Sequence, residues 1–326
     1  MLNKISVLPL AAESLGTRSM CTFVETKDVK VVLDAGVSLA PFRFRLSPHP
    51  REYEAIKESR RQIEEKASEA DVVTISHYHF DHHTPSFTDW ISNWSSPETA
   101  QKIYQNKLIL IKNYKKSVNF SQRRRGWMFA KTGGKHAKKL EVADGKTFTF
   151  GDTMLKFSEP VFHGSEDTSL GWVLTTTIAC EDERMVFAPD VQGPMYDSTM
   201  RMIIEEQPQL LIIGGPPLYL AGFRVAETQI NDALEHLKQL VAVVPFTILE
   251  HHLLRAENWR EQSKVVFETA QKTEYTVVSA AEFLGKEDNL LEARRKQLFD
   301  AEPPGKGFMR WSKISMPARK LVRPPV

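Results

Sequence analysis

The sequence predicts a mixed α/β fold in which β-strands and helices form packed layers. Short apolar segments rich in β-branched residues recur along the 326-residue chain and are separated by polar turns, a pattern typical of strands. These segments follow one another in the first part of the chain and alternate with helical segments later on. This order favours a layered α/β domain without a clear internal linker.

Twelve segments have the composition of strands, and three polar stretches between them have that of hairpin turns. The predicted turns are residues 27–28, 150–152 and 181–183. The predicted strands are 5–8, 20–25, 29–33, 72–76, 108–111, 148–150, 154–157, 171–179, 185–188, 210–213, 246–250 and 275–279.

Four segments are predicted as helices: 50–70, 227–241, 259–272 and 287–299. The segment 227–241 is the clearest, because its apolar residues are spaced four, three and four apart. The segment 50–70 is mostly charged, so we expect it on the surface. We expect one domain over residues 1–302 and a basic, Pro-rich tail over 303–326 that is extended or partly disordered. Within that tail, residues 308–311 are expected to pack back on the domain, with an oligomer contact as the alternative.

The composition excludes several classes of protein. The net charge is +2, so no strong overall field favours a nucleic-acid or membrane partner. Cys21 and Cys180 are the only cysteines and form no CxxC pair, which fits a reducing compartment and leaves thiolates out of any metal site. The sequence starts without a long apolar leader and has no run of 18 apolar residues. We therefore expect a cytoplasmic protein with no membrane partner.

The segment His77-Tyr-His-Phe-Asp-His-His83 directly follows a predicted strand and is the strongest chemical signal in the chain. Imidazole nitrogen and carboxylate oxygen are ligands that zinc and similar divalent metals prefer. In an extended segment His77 and His79 share a face and can reach one ion, while Asp81 and His82 can reach a second. A surface polyhistidine tract is the alternative, but the preceding strand argues against it.

Further candidate ligands stand at the ends of later predicted strands. His163 precedes a glycine, Asp190 ends the run 185–190, and His251 and His252 end the run 246–252. Taken singly, such a residue more often forms a hydrogen bond or lies on the surface. Following so strong a cluster, these positions together predict a site for two metal ions.

The pattern His77-x-His79-x-Asp81-His82 resembles the HxHxDH signature of the metallo-β-lactamase-fold hydrolases. Asp34-Ala-Gly36 resembles their early strand-Asp-x-Gly element, and the later candidates follow in the same order, so the resemblance covers about residues 15–255. More narrowly, the segments 14–19, 76–85, 190–194, 215–217 and 250–255 resemble an uncharacterised, largely archaeal branch of that superfamily.

The resemblance implies a four-layer αββα sandwich with two divalent metal ions. It implies that the first ion is held by His77, His79 and His163, and the second by Asp81, His82 and His251, with Asp190 bridging them. We expect His251 rather than His252 as the ligand, because Leu249-Glu-His251 resembles the Leu-x-His of the branch that processes transfer RNA. His83 lies outside the signature, and a supporting or a substrate-facing role is equally open to it.

The resemblance also favours hydrolysis over redox chemistry. Flavodiiron proteins have Glu in place of the second His of the signature, whereas His79 is retained here. Two ions can share one water and lower its pKa, which produces a hydroxide that attacks an ester-type bond. Asp81 is the expected catalytic residue, as ligand and proton acceptor. Zinc is the expected metal, and manganese or iron would also fit the nitrogen and oxygen ligands.

The substrate is left open by the sequence. Residues 107–139 contain eleven Lys or Arg and no Asp or Glu, interleaved with aromatic residues. Arg123, Arg124 and Arg125 lie in this segment and, with His83 and His252, are the candidate substrate contacts. A phosphodiesterase or nuclease that binds RNA or nucleotides there is one hypothesis, and a solvated basic helix and loop is the other.

Two further interpretations stay open at the level of the sequence. A protein that retains the fold without turnover, and binds nucleic acid or acts as a scaffold, is a hypothesis of another class. The intact set of ligands argues against it, since loss of catalysis usually appears as lost ligands. Other arginines are candidate anion contacts, although each is more often structural: Arg18, Arg43, Arg45 and Arg255. The oligomeric state has no signal in the sequence.

Overall fold

Two β-sheets form the centre of the structure, a computed structural model that describes residues 2–166 and 168–326. The first sheet has six strands in chain order. They are β1 (Ser6–Pro9), β2 (Thr22–Glu25), β3 (Lys30–Leu33), β4 (Val72–Ile75), β5 (Leu108–Ile111) and β6 (Lys139–Val142). The strands from β1 to β3 pair antiparallel, and those from β3 to β6 pair parallel.

The second sheet has seven strands in the order β15-β14-β13-β12-β11-β8-β7. They are β7 (Thr147–Phe150), β8 (Thr153–Phe157), β11 (Thr176–Cys180), β12 (Glu183–Ala188), β13 (Leu210–Gly214), β14 (Phe246–Glu250) and β15 (Thr276–Val278). The strands β12 to β15 are parallel, and the others are antiparallel. A separate two-stranded ribbon pairs β9 (Val161–Phe162) with β10 (Trp172–Val173).

Alternate residues along the strands point to different apolar layers. In β3, Val31 packs between the two sheets together with Leu155 and Ile212 of the second sheet, whereas Val32 packs against the helices outside the first sheet. In β13, Leu211 packs in a third cluster with the helices outside the second sheet. Helix, sheet, sheet and helix therefore form four layers, and the αββα sandwich implied by the sequence resemblance is confirmed.

Helices cover the outer face of each sheet. The first sheet is covered by α1 (Pro50–Glu69), α2 (Pro97–Tyr104), α3 (Phe120–Lys131) and α10 (Lys306–Ser312), and the second by α4 (Asp197–Glu205), α5 (Glu227–Val241) and α7 (Lys264–Lys272). Shorter helices are α6 (Trp259–Gln262), α8 (Ala280–Phe283), α9 (Arg295–Ala301) and α11 (Met316–Leu321). In the described residues, every helix is too short or too polar to cross a membrane.

Most predicted strands and all three hairpin turns are found in the structure. The predicted strand 171–179 is instead divided into β10 and β11, because Leu174 leaves the sheet and donates its backbone N–H to the oxygen of Ser76 at 3.0 Å. The strands β6 and β9 were not predicted. Both are short, and neither is fully buried, so their apolar pattern is weak.

The predicted helices differ from the structure mainly in the C-terminal part. The segment 259–272 breaks into α6 and α7 at Ser263, whose hydroxyl donates to the oxygen of Trp259 at 2.6 Å. The segment 287–299 is helical only from Arg295. The predicted extended tail forms α10 and α11, and its packing on the domain is confirmed: Phe308 and Trp311 lie 5.8 and 5.5 Å from the Tyr53 ring.

Replacing Trp311 by Ala is predicted to destabilise the protein by about 3–5 kcal/mol, because a large buried ring would leave a cavity beside Tyr53. The free energy of unfolding in urea measures this. Met309→Ala is the matched control, since Met309 lies on the same helix and is 46% exposed. Equal stabilities of the two variants would show that α10 is not part of the core.

Candidate metal centre

Polar residues that follow strands of both sheets and of the two-stranded ribbon meet at one edge of the sandwich. Asp34 follows β3, His77 follows β4, His163 follows β9, Asp190 follows β12 and His251 follows β14. The carboxyl ends of parallel strands lie at the same edge of a sheet, where open α/β sheets bind their ligands. The fold therefore brings together residues that are far apart in the chain, such as Asp34 and His251, which are separated by 217 positions.

The carboxylate of Asp190 lies at the centre of this cluster and is 1% exposed. Its Oδ2 atom lies 3.0 Å from Nε2 of His77, 3.1 Å from Nε2 of His82 and 3.0 Å from Nε2 of His163. Its Oδ1 atom lies 2.9 Å from Nε2 of His251 and 3.0 Å from Nε2 of His252. One buried carboxylate thus faces five imidazoles, and Nδ1 of His79 lies 3.9 Å away.

The candidate ligand atoms form overlapping groups within which all atoms lie within 4.8 Å of one another. One group contains His77, His79, His163 and Asp190, and another contains Asp81, His82 and His251. These two groups contain all seven residues that the sequence predicted as ligands. A further group joins Asp190, His251 and His252. The donors are nitrogen and oxygen throughout, a set suited to divalent metal ions.

The Asp34 carboxylate orients the imidazole of His82 directly and that of His77 through Ser76. Nδ1 of His82 lies 2.8 Å from Oδ2 of Asp34, and the Ser76 hydroxyl donates to that same oxygen. Nδ1 of His77 lies 3.0 Å from the Ser76 hydroxyl. With Ser76 donating to Asp34, its oxygen accepts the Nδ1 proton of His77. Both imidazoles then present an unprotonated Nε2 to the cluster, which is the atom that coordinates a metal.

The hydrogen bonds of His251 and His252 assign them different tautomers. Nδ1 of His251 donates to Oε2 of Glu13 at 2.9 Å, which leaves Nε2 without a proton and able to coordinate. That atom accepts only a long hydrogen bond from Nη2 of Arg255 at 3.4 Å. Nδ1 of His252 accepts from Nη1 of Arg255 at 2.8 Å. A neutral imidazole that accepts at Nδ1 carries its proton on Nε2, so His252 is poorly suited as a ligand. This difference supports the choice of His251.

Three buried atoms of the cluster test whether a metal fits. Nε2 of His77, Oδ1 of Asp190 and Nε2 of His252 are buried and have no hydrogen-bond partner of good geometry among the described residues. Buried polar atoms without partners are costly and uncommon. Imidazole nitrogen and carboxylate oxygen are good metal ligands, so the residues fit a bound divalent ion.

The pKa values of the cluster show where positive charge is favoured. Burial and the neighbouring imidazoles of His82 and His79 lower the pKa of His77, so it is neutral, as a ligand must be. Burial also opposes charge on His251, but Asp190 and Glu13 outweigh it and raise its pKa to about 9. The carboxylates therefore favour a cation at the His251 end of the cluster, whether a proton or a metal ion.

Backbone strain accompanies the cluster. Asp34, Asp190 and His251 have φ values of 51°, 51° and 68°, in the left-handed region that non-glycine residues seldom adopt. Gly36 allows the loop after β3 to approach the ligands, since a Cβ there would lie 2.4 Å from the backbone nitrogen of His82. The surrounding packing therefore holds these side chains in place at a cost in backbone energy.

The cluster opens into a cavity of about 490 Å³. Asp81 lines the cavity with its side chain 16% exposed, while the His82 and His251 side chains are fully buried. Burial would raise the pKa of Asp81, but the imidazoles of His82 and His251 lower it well below its usual range. Asp81 is thus an ionised carboxylate that solvent or a small molecule can reach.

The predicted substrate contacts are placed differently from one another. Arg125 and His252 line the cavity. His83 lies behind it, with Nδ1 donating to the His79 oxygen at 2.9 Å. Arg123 and Arg124 are exposed on α3 and are not among the described residues that line the cavity. The structure therefore brings only one of the three consecutive arginines to the candidate site.

Two residues with a clear place in the site were not singled out from the sequence. Glu13 is 5% exposed and forms bonds to both His251 and Arg255. Ser76 connects His77 to Asp34. Their only signal is a position beside a sequence motif, because a buried Glu or Ser has no periodicity of its own. Arg255, a candidate anion contact more often expected to be structural, is paired with Glu13 at 2.7 Å, as a structural residue would be.

His251→Ala is predicted to lower the metal content of the purified protein more than His252→Ala does. The reason is the difference in tautomer: Nε2 has no proton in His251, whereas it carries the proton in His252. Elemental analysis of both variants after identical purification gives the metal content per chain. The two positions are adjacent, so each variant is the control for the other, and a larger loss in His252→Ala would reverse the assignment.

This chain is similar to known proteins over most of its length. No protein-family model matches it. A UPF0282 protein of Methanopyrus kandleri is 46% identical over 296 residues, which cover 91% of this chain and 99% of the relative. A UPF0282 protein of Methanocaldococcus jannaschii is 42% identical over 295 residues, covering 90% and 96%. A solved metallo-β-lactamase fold protein from Bacillus subtilis is 13% identical with a TM-score of 0.44, covering 81% and 94%. The chain therefore belongs to the UPF0282 family.

Proposed function

We propose that this protein is a metal-dependent hydrolase that cleaves an ester-type bond of a small molecule. One observation supports this most directly. A buried carboxylate, Asp190, is surrounded by imidazoles, and the cluster opens into a cavity of about 490 Å³ beside a second, reachable carboxylate, Asp81. A metal site that serves structure alone is usually closed by its ligands, whereas a catalytic one keeps an open side.

The proposed ligands follow the two groups described above. His77, His79 and His163 would hold the first ion. Asp81, His82 and His251 would hold the second, and Asp190 would contact both. Zinc is the metal we propose, because borderline divalent ions prefer mixed imidazole and carboxylate ligands, and manganese or iron would also fit.

Bound divalent ions would supply Lewis-acid chemistry, lowering the pKa of water and polarising the bond to be cleaved. Asp81 would accept the proton of the attacking water, since its carboxylate is ionised and lines the cavity. Arg255 lies 3.7 Å from Oδ2 of Asp81 and is fixed by Glu13. It would keep that carboxylate ionised and oriented.

The arrangement favours a small substrate over a long nucleic acid. Of the basic segment 107–139, Arg125 alone lines the cavity among the described residues. Lys112 is buried and pairs with Asp144 at 3.5 Å. A continuous basic track leading to the cluster is therefore not supported. A small phosphodiester remains an alternative substrate, because phosphoryl and carboxyl esters are cleaved by the same metal chemistry.

The proposed function is tested by metal quantification together with hydrolysis of a panel of carboxyl esters, lactones, thioesters and phosphodiesters. Asp81→Asn is predicted to lower turnover of the best substrate by about 10²–10⁴-fold, the usual contribution of a positioned acid or base. Asp232→Asn, on an exposed position of α5, is the control. Hydrolysis that is equal in both variants would refute the role of Asp81. A protein that binds two ions and cleaves nothing in the panel would favour the non-catalytic hypothesis.

The nuclease alternative predicts a different dependence of activity on salt concentration. Activity on RNA through the basic segment is expected to fall steeply between about 50 and 200 mM salt, because each phosphate contact releases bound counterions. Turnover of a small ester in the cavity is expected to change far less over that range. Degradation of RNA with a steep salt dependence, reduced by Arg124→Gln, would therefore replace the small-molecule proposal.

A further inference from the structure

Three arginines line the cavity beside the cluster, and two of them are neutralised by carboxylates. Nε and Nη2 of Arg18 each donate to Glu292 at 2.6 Å, in a two-pronged ion pair. Nε and Nη2 of Arg255 both lie close to one oxygen of Glu13, Oε1, at 2.8 and 2.7 Å. In both pairs a buried carboxylate compensates the charge of the guanidinium. Neither arginine therefore has much charge left to bind a substrate.

Arg125 differs from both. Among residues 2–166 and 168–326, no carboxylate oxygen lies within 4.0 Å of its guanidinium. Nη1 donates weakly to the backbone oxygen of Tyr78 at 3.3 Å, and the guanidinium lies 4.6 Å from the centroid of the Phe80 ring. Burial lowers the pKa of Arg125, while the charge of nearby Asp81 opposes this. A partly buried cation with unused donors is a ready partner for an anion.

The position of Arg125 relative to the cluster is fixed by close packing. Its neighbour Gly126 lies so near Tyr78 that a Cβ there would come within 2.6 Å of the Tyr78 ring and 2.4 Å of Tyr114. This contact packs α3 directly against Tyr78, the residue between the candidate ligands His77 and His79. Arg125 is therefore held at a set place beside the candidate ligands.

A second, apolar cavity of about 80 Å³ adjoins the first. Phe80 and Arg125 line both cavities, so this pair forms the wall between a polar space at the cluster and an apolar one behind it. The other side chains that line the smaller cavity are mostly apolar, among them Phe87, Met128 and Phe129. A substrate with one charged and one apolar part would match this arrangement.

We propose that Arg125 binds an oxyanion of the substrate and that the smaller cavity receives an apolar substituent, so that the substrate is a small anionic ester. This rests on the proposed function, because the bond to be cleaved must reach the cluster from Arg125. A carboxylate and a phosphate share the required chemistry. Both present paired oxygens to a guanidinium.

The test compares Arg125→Gln and Arg125→Lys with Arg124→Gln, an exposed neighbour on the same helix. Binding of benzoate, phenyl phosphate and the neutral benzamide to the metal-containing protein is measured by calorimetry. Wild type is expected to bind one or both anions at least about tenfold more tightly than benzamide, the size of a charged hydrogen bond. Arg125→Gln is expected to abolish that preference, Arg125→Lys to retain part of it, and Arg124→Gln to leave it unchanged. The anion that binds more tightly identifies the substrate group that Arg125 recognises, a carboxylate or a phosphate.

Outcomes for this proposal and for the hydrolase function can be told apart. Loss of the anion preference in Arg125→Gln, with unchanged metal content, supports the proposal even if no ester is cleaved. Where esters are cleaved, KM for an anionic ester should rise about 10- to 100-fold in Arg125→Gln, with a smaller change in kcat. Equal binding of benzoate, phenyl phosphate and benzamide by wild type, or an unchanged preference in Arg125→Gln, would overturn the proposal while leaving the hydrolase function intact.

Discussion

The burial of the Asp190 carboxylate is the constraint on which the rest of the site depends. An ionised carboxylate buried without compensation costs far more than a folded domain can provide. Here the compensation comes from both sheets: His77 and His82 follow a strand of the first, while His251 follows a strand of the second. The site exists only when the two sheets are packed against each other, so its geometry is a property of the whole sandwich.

Carboxylates that follow strands of the first sheet orient imidazoles of both sheets. Asp34 follows β3, next to β4 in the first sheet, and fixes His82 directly and His77 through Ser76. Glu13 follows β1 and reaches across to His251 of the second sheet. These outer contacts select the nitrogen that each imidazole offers, and this matters because a neutral imidazole has only one free lone pair. This alignment comes with a left-handed backbone at Asp34, Asp190 and His251, a conformation that raises the conformational energy of the folded chain.

Local sequence patterns predicted most of the strands, the hairpin turns and all the histidines of the cluster, because strand periodicity and metal-ligand chemistry are both visible over a few residues. They did not reveal Glu13, whose partner His251 is 238 positions away. They predicted the packing of Trp311 on the domain but misjudged the rest of the C-terminal tail, whose basic, Pro-rich composition indicates an extended or partly disordered arm although it forms α10 and α11. Charge pairing across long sequence distances is fixed by the fold. The sequence therefore could not show that Arg255 is neutralised while Arg125 is not.

The charged residues around the cavity fall into two sets, one at the candidate ligands and one at the open side. Asp34 and Glu13 contact the candidate imidazole ligands, Asp81 and Asp190 are candidate ligands themselves, and Arg255 is the buried cation beside Glu13 and Asp81. The two divalent cations that we propose would more than offset the net negative charge of these groups, which would leave the filled site slightly positive. The fold adds Arg125 on the open side, where solvent and substrate enter, and not among the ligands, where it would repel the metals. A site of this kind attracts anions from water and directs their charged end towards the wall formed by Arg125 and Phe80.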